Sequence, residues 1–190
     1  MSIKVGVGEY QYEVAEGWGE WPVNGVASDV ATDSQGRVYV AVRTSQTAEL
    51  QTGAVVVFDR DGNHLDTWGE DVFQVCHGLW ISPSDEVLHA DAGDNTVTKF
   101  TTGGELLMTI GTKGALGSPG EPFRSPTSAV QSSSGDIYVS DGYRQNRCHK
   151  FTITGELIFS WGEGDNVYWQ EQVEGKVTGR AGVGPGEFNL

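Results

Sequence analysis

Short, mainly apolar runs bounded by turn residues cover most of the chain, the pattern of strands on a pleated, half-buried surface. Val38-Tyr39-Val40-Ala41, Val87-Leu88-His89-Ala90 and Ile137-Tyr138-Val139-Ser140 are three such runs, rich in residues that suit a pleated surface. Polar turn residues stand just before each: Ser34-Gln35-Gly36, Ser84-Asp85-Glu86 and Ser133-Ser134-Gly135. A second strand is predicted over residues 54–58, 96–100 and 147–151. A tight turn follows at Gly62, Gly104 or Gly155, then a third strand ending at Trp68-Gly69, Ile110-Gly111 or Trp161-Gly162. One more strand precedes each set, over residues 28–33, 77–82 and 127–132. No stretch carries the 3.6-residue period of an amphipathic helix.

The same four-strand phrase therefore returns at a spacing of roughly 40 to 50 residues, which marks a repeat architecture. Four antiparallel strands per unit, with turn chemistry in register, predict the blades of an all-β propeller. We expect a closing strand over residues 1–19, blades at 20–69, 70–111 and 112–162, and a lead-in to a further blade at 163–190. Gly186-Glu187-Phe188 matches the lead-ins at Phe73 and Phe123, so the expectation is a partial chain of about three and a half blades. The competing reading is a natural arc that closes by self-association through its open strand edges.

Composition narrows the classes of partner. Twelve Lys and Arg against 26 Asp and Glu give a net charge of −14, which opposes a phosphate backbone and argues against nucleic acid. No apolar run approaches the ~20 residues that span a bilayer, so no membrane association is expected. Met1-Ser2-Ile3-Lys4 lacks the apolar core of a signal segment, and the expected location is cytoplasmic. Cys76 and Cys148 fit a reduced compartment better than a designed pair.

Small molecules bind propellers at the mouth of the central channel, and three residues fall on loops there. His77, in Val75-Cys76-His77-Gly78-Leu79, stands where the other units have Ser28 and Thr127. An imidazole in that place is either a metal ligand or a hydrogen-bonding residue across the channel. Arg43 opens an insertion at residues 44–52 and either clamps a carboxylate or pairs at the surface with Glu49. Tyr143, in Asp141-Gly142-Tyr143-Arg144, is either a general base or a solvent-facing aromatic. Asp91 and Asp141 occupy matching positions and read as turn-forming. His64 and His149 read as structural residues beside exposed positions, and His89 as core.

The Asp59-x-x-Gly62 clause and the run Tyr138-Val139-Ser140-Asp141-Gly142-Tyr143 resemble NHL repeats, over nearly the whole chain from Val26. NHL propellers are usually six-bladed. A narrower resemblance, to peptidyl-α-hydroxyglycine α-amidating lyase, rests on four stretches. These are Val75 through Leu79, Ser140-Asp141-Gly142-Tyr143 with Arg147, Ser160-Trp161-Gly162-Glu163, and Gly186-Glu187-Phe188. It implies zinc on the channel axis with His77 as first of three histidines, the others lying beyond Leu190. It also implies Arg43 and Tyr143 as catalytic residues, and calcium held by the backbone carbonyls of Val30 and Leu79. The implied reaction is zinc-dependent carbon–nitrogen bond cleavage in the full-length parent, splitting a peptidyl carbinolamide to an amide and glyoxylate. This chain alone is expected to be inactive. The chain departs from the animal enzymes where Arg124 and Arg144 replace a cysteine pair beside the tyrosine. The alternative is a non-catalytic NHL propeller binding a peptide or protein on its channel face.

Overall fold

The computed structural model describes residues 3–43 and 53–162. The insertion expected at 44–52, with Glu49, and the lead-in expected at 163–190 lie outside the described residues. All described regular structure is β. A hairpin, β1 (Lys4–Val7) and β2 (Tyr10–Glu13), precedes three four-stranded antiparallel meanders. The first meander is β3 (Val26–Thr32), β4 (Val38–Arg43), β5 (Gly53–Phe58) and β6 (His64–Phe73). The second is β7 (Cys76–Ile81), β8 (Glu86–Asp91), β9 (Thr96–Thr101) and β10 (Leu106–Ile110). The third is β11 (Pro126–Gln131), β12 (Ile137–Asp141), β13 (Arg147–Phe151) and β14 (Leu157–Trp161). Among the described residues no helix is long and apolar enough to cross a membrane.

Repeated turn chemistry builds the three sheets alike. The side-chain oxygens of Asp59, Thr101 and Thr152 accept the N–H four residues on, at Asn63, Glu105 and Glu156. The carbonyls of the same three residues accept Gly62, Gly104 and Gly155 N–H. Those glycines have φ of 89°, 84° and 83°, a left-handed backbone that residues with a Cβ adopt only under strain.

The meanders stack face to face through two apolar layers. Between the first and second lie Tyr39, Ala41, Val55, Val57, Leu79 and Val87; between the second and third lie Leu88, Ala90, Ala129, Ile137, Val139 and Phe151. Successive residues of a strand point to opposite faces, so Val87 packs backward and Leu88 forward. The strand β7 adjoins both β3 and β11, while among the described residues no comparable contact joins β6, β10 and β14, which gives the blades of a propeller their radial spread.

A further contact recurs at the outer end of each layer. The last-strand residues of one sheet lie over the glycine turn of the next, so that a Cβ at Gly104 would fall 2.8 Å from Trp68 Cγ and one at Gly155 3.2 Å from Ile110 Cγ1. Trp18 does the same for the first sheet, 3.2 Å from a Cβ at Gly62, and packs at 5.5 Å on Phe58.

Three features differ from the sequence reading. In place of one strand running toward Gly19, the N-terminal segment forms the β1–β2 hairpin, because Lys4–Val7 supplies a partner edge for Tyr10–Glu13. The strand β6 runs past Trp68-Gly69 to Phe73, which pairs with Gly53 across a register shift. Gly53 permits this, since a Cβ there would meet Cys76 Sγ. His149 is fully buried, with Asp141 at 3.2 Å from Nε2 and Ser160 Oγ at 2.7 Å from Nδ1, because the lead-in Phe123 covers it.

His89 is also fully buried and stacks 4.0 Å from Phe73, but neither ring nitrogen has a hydrogen-bond partner among the described residues. Burial pushes its pKa down to about 4, against the opposing pull of the Asp91 carboxylate. The folded protein thus takes up this proton less readily than the unfolded chain. The contribution is complete above about pH 6.5 and is lost as pH falls toward 4.

Two predictions follow from the packing. Gly104→Ala lowers stability by about 1–3 kcal/mol in urea unfolding, while Gly103→Ala, with open space and ordinary φ, changes it by less than about 0.5 kcal/mol. His89→Val, which installs the residue found at Val40 and Val139, flattens the stability profile between pH 6.5 and 4 by roughly 3 kcal/mol. An unchanged acid slope would show that His89 is not the group being protonated.

Candidate functional site

Each first strand carries a β-bulge at its second or third residue. Pairing skips Ser28 between Ala27 and Asp29, His77 between Cys76 and Gly78, and Thr127 between Pro126 and Ser128. A bulge leaves one residue unpaired and re-aims its side chain. The bulged residues of the first and third sheets turn back on their own sheets, with Ser28 Oγ donating to the Ala41 carbonyl at 3.2 Å and Thr127 Oγ1 to that of Ser140 at 3.3 Å. His77 instead reaches across to the next sheet.

Its Nδ1 lies 2.8 Å from the Thr127 carbonyl, which can only accept, so Nδ1 carries the proton. Nε2 is left with its lone pair, 2.7 Å from the Tyr143 hydroxyl that donates to it. Close approach of β11 to β7 makes this possible. A Cβ on Gly78 would stand 2.5 Å from the Thr127 carbonyl oxygen. Arg43, at the end of β4, donates from Nε to the Cys76 carbonyl at 2.7 Å, which places its cation beside His77. The structure therefore brings His77, Tyr143 and Arg43 together from three different sheets.

Burial and the Arg43 cation push the His77 pKa below the ordinary histidine value; the Thr127 carbonyl and the Asp29 carboxylate only partly offset this. Asp29 also bridges the first two sheets, accepting Leu79 N–H at 2.9 Å. Val30 and Leu79, the two expected calcium positions, stand at the same register, opposite Val40 and His89 in their sheets. Val30 is exposed and Leu79 buried, since only Leu79 has a preceding sheet against it.

Two positioning residues do more than form turns. Asp91 accepts Gln74 and Val75 N–H at 2.7 and 2.9 Å, which clamps the loop just ahead of His77. Asp141 does the same for Arg124 N–H at 2.8 Å, and also takes Gln145 Nε2 at 2.7 Å. The matched positions of the two aspartates were the available signal. The buried Gln145 had none, because its burial comes from the 117–121 loop folded over it. Burial pushes the Cys76 thiol up, so it is no nucleophile at neutral pH.

As a metal site the cluster is incomplete. A histidine whose Nδ1–H is tied to a carbonyl presents Nε2 as metal ligands do. However, no three His, Cys, Asp or Glu side chains gather among the described residues, and catalytic zinc normally takes three protein ligands. The described residues fit one ligand.

The fold and this loop-borne cluster define an all-β protein of the propeller type. The solved structure of streptogramin B lyase superposes on 78% of the chain, and 45% of its own, with a TM-score of 0.58 at 14% identity, which speaks for the fold alone. In sequence, the chain is 37% identical over 99 residues to peptidyl-alpha-hydroxyglycine alpha-amidating lyase 1 of Drosophila melanogaster, covering 50% of this chain and 18% of that protein. It is 27% identical over 191 residues to human NHL repeat-containing protein 3, covering 94% of this chain and 49% of that one. The chain thus spans less than half the length of these two relatives. No family model matches it.

The geometry predicts that, by nitrogen-detected NMR of metal-free protein, His77 sits as the Nδ1–H tautomer and titrates below about 6.5. Arg43→Gln raises that midpoint. A midpoint unmoved by the substitution would remove Arg43 from the electrostatics of the site.

Proposed function

We propose that this chain is part of a lyase-like propeller that cleaves the carbon–nitrogen bond of a peptidyl α-hydroxyglycine, releasing a peptide amide and glyoxylate. The observation that carries the reading is the His77–Tyr143 hydrogen bond, with the imidazole locked by Thr127 and the Arg43 cation alongside. The similarity to the Drosophila lyase supports it. In this reading the parent propeller has six blades. His77 Nε2 is one of three zinc ligands, the remaining two lying outside this chain, and the Val30 and Leu79 carbonyls hold calcium. Zinc, when bound, supplies a Lewis acid for the substrate hydroxyl.

The protein groups divide the remaining work. Arg43 pairs with the substrate carboxylate and orients the carbinol carbon toward Tyr143. Tyr143, freed from Nε2, relays one proton: its own hydroxyl hydrogen passes to the departing amide nitrogen and it takes up the substrate hydroxyl proton, as the carbon–nitrogen bond breaks and the carbinol carbon becomes the aldehyde of glyoxylate. The low proton affinity of His77 keeps its lone pair free at neutral pH.

A second reading, a non-catalytic propeller that binds a peptide or protein on the same loop face, is favoured by one observation. The similarity to NHL repeat-containing protein 3 runs over 94% of the chain, against 50% for the lyase.

The test separates the two. In the longer protein, His77→Ala lowers zinc stoichiometry, and Tyr143→Phe keeps zinc but lowers the rate of glyoxylate release on the order of 10²-fold or more. The 190-residue chain alone releases none. Zinc content unaffected by His77→Ala would end the lyase reading and leave the binder.

A further inference from the structure

Three arginines and two lysines are spread from Arg37 to Lys113 in sequence; the next three cations, Arg124, Arg144 and Arg147, gather in one place. Arg124 stands on the loop 111–125 before β11, and Arg144 and Arg147 approach that loop from the β12–β13 turn and the start of β13. Arg124 Nη1 donates to the Gly117 carbonyl at 3.0 Å. The Arg147 guanidinium lies over Gly120, its Cζ 3.5 Å from where a Cβ would stand. Arg144 N–H donates to the Arg124 carbonyl at 3.2 Å, which ties the β12–β13 loop to the same loop.

These cations lack the partners that others in the chain have. Arg37, Lys99, Lys113 and Lys150 each pair with a carboxylate. Among the described residues no carboxylate reaches ion-pair distance of Arg124, Arg144 or Arg147. Arg147 Nε is buried without an acceptor among the described residues, so its charge is left uncompensated beside the loop. The nearby acids do not neutralise the cluster. Asp141 is fully buried and engaged by Arg124 N–H, Gln145 and His149, and Glu121 is exposed at the loop tip with its carbonyl accepting Gln145. In a chain of net charge −14 this is a local positive surface. It adjoins the site directly, because Arg144 follows Tyr143.

We propose that Arg124, Arg144 and Arg147 form a carboxylate-recognising subsite beside the His77–Tyr143 pair, selecting peptide ligands that carry an acidic side chain. The fork of a guanidinium matches a carboxylate in two parallel hydrogen bonds, and exposed Arg144, with no carboxylate at ion-pair distance among the described residues, offers one beside Tyr143. The subsite serves a lyase substrate or a non-catalytic peptide ligand alike, so it does not depend on which reading of the site holds.

The test measures binding without chemistry, in chelator, on the 190-residue chain. The probes are Ac-Glu-Phe-NH2 and Ac-Gln-Phe-NH2, followed by calorimetry. The acidic peptide binds about tenfold tighter, and Arg144→Gln, at an exposed position that folding does not require, removes most of that preference. Raising salt from about 0.05 to about 0.5 M weakens the acidic peptide alone. Arg147→Gln gives the same loss where the variant remains folded by circular dichroism. Equal affinity for the two peptides overturns the proposal. So does undetectable binding of the acidic one at millimolar concentration, an unchanged preference in Arg144→Gln, or equal competition by inorganic phosphate.

Discussion

Each four-stranded sheet in this protein has two apolar faces and, among the described residues, no helix to cover either, so every sheet depends on its neighbours for burial. The side chains that meet this need alternate strictly along the second strands: Val87 points to the first sheet and Leu88 to the third. The outer ends are fixed by a narrower constraint, the seating of Trp68, Ile110 or Trp18 over the glycine turn of the following sheet. Because the turn is in a left-handed conformation and the space above it is filled, neither the glycine nor its cover can change independently.

The site is a product of that stacking rather than of any one sheet. His77 is aimed by a bulge that all three first strands share, yet only His77 is long enough to reach the adjacent strand's carbonyl. Gly78 is what allows the two strands to approach. Asp29 performs the corresponding bridge one sheet earlier, with a carboxylate in place of direct contact. The chemistry therefore sits where neighbouring blades are joined, and a change in blade spacing would be felt at the imidazole before anywhere else.

Polar residues that look alike in the chain do different work once folded. Asp91 and Asp141 are buried and collect backbone N–H groups from the loop ahead of the first strand, which rigidifies the segments carrying His77 and leading to Thr127. His89 and His149 occupy interiors of neighbouring layers, but His149 has Asp141 and Ser160 as partners while His89, among the described residues, stacks on the face of Phe73 with no hydrogen-bond partner for its ring. The difference traces to Asp141 and Gln145 closing around one ring, and to a phenylalanine stacking on the other.

Local sequence determined the strands, the positions of the glycine turns and the repeat itself, because β-branched and aromatic enrichment and positive-φ glycines are properties a residue carries with its immediate neighbours. His77, Arg43 and Tyr143 were also legible, each as a departure from its repeat equivalents. Only tertiary structure decided that they meet, which nitrogen of His77 is protonated, and that Gln145 is interior. It also decided that β6 runs on to Phe73, since that extension needs the space beside Cys76. Those outcomes depend on the distance between sheets, and that distance is set by side chains roughly one repeat apart in the chain.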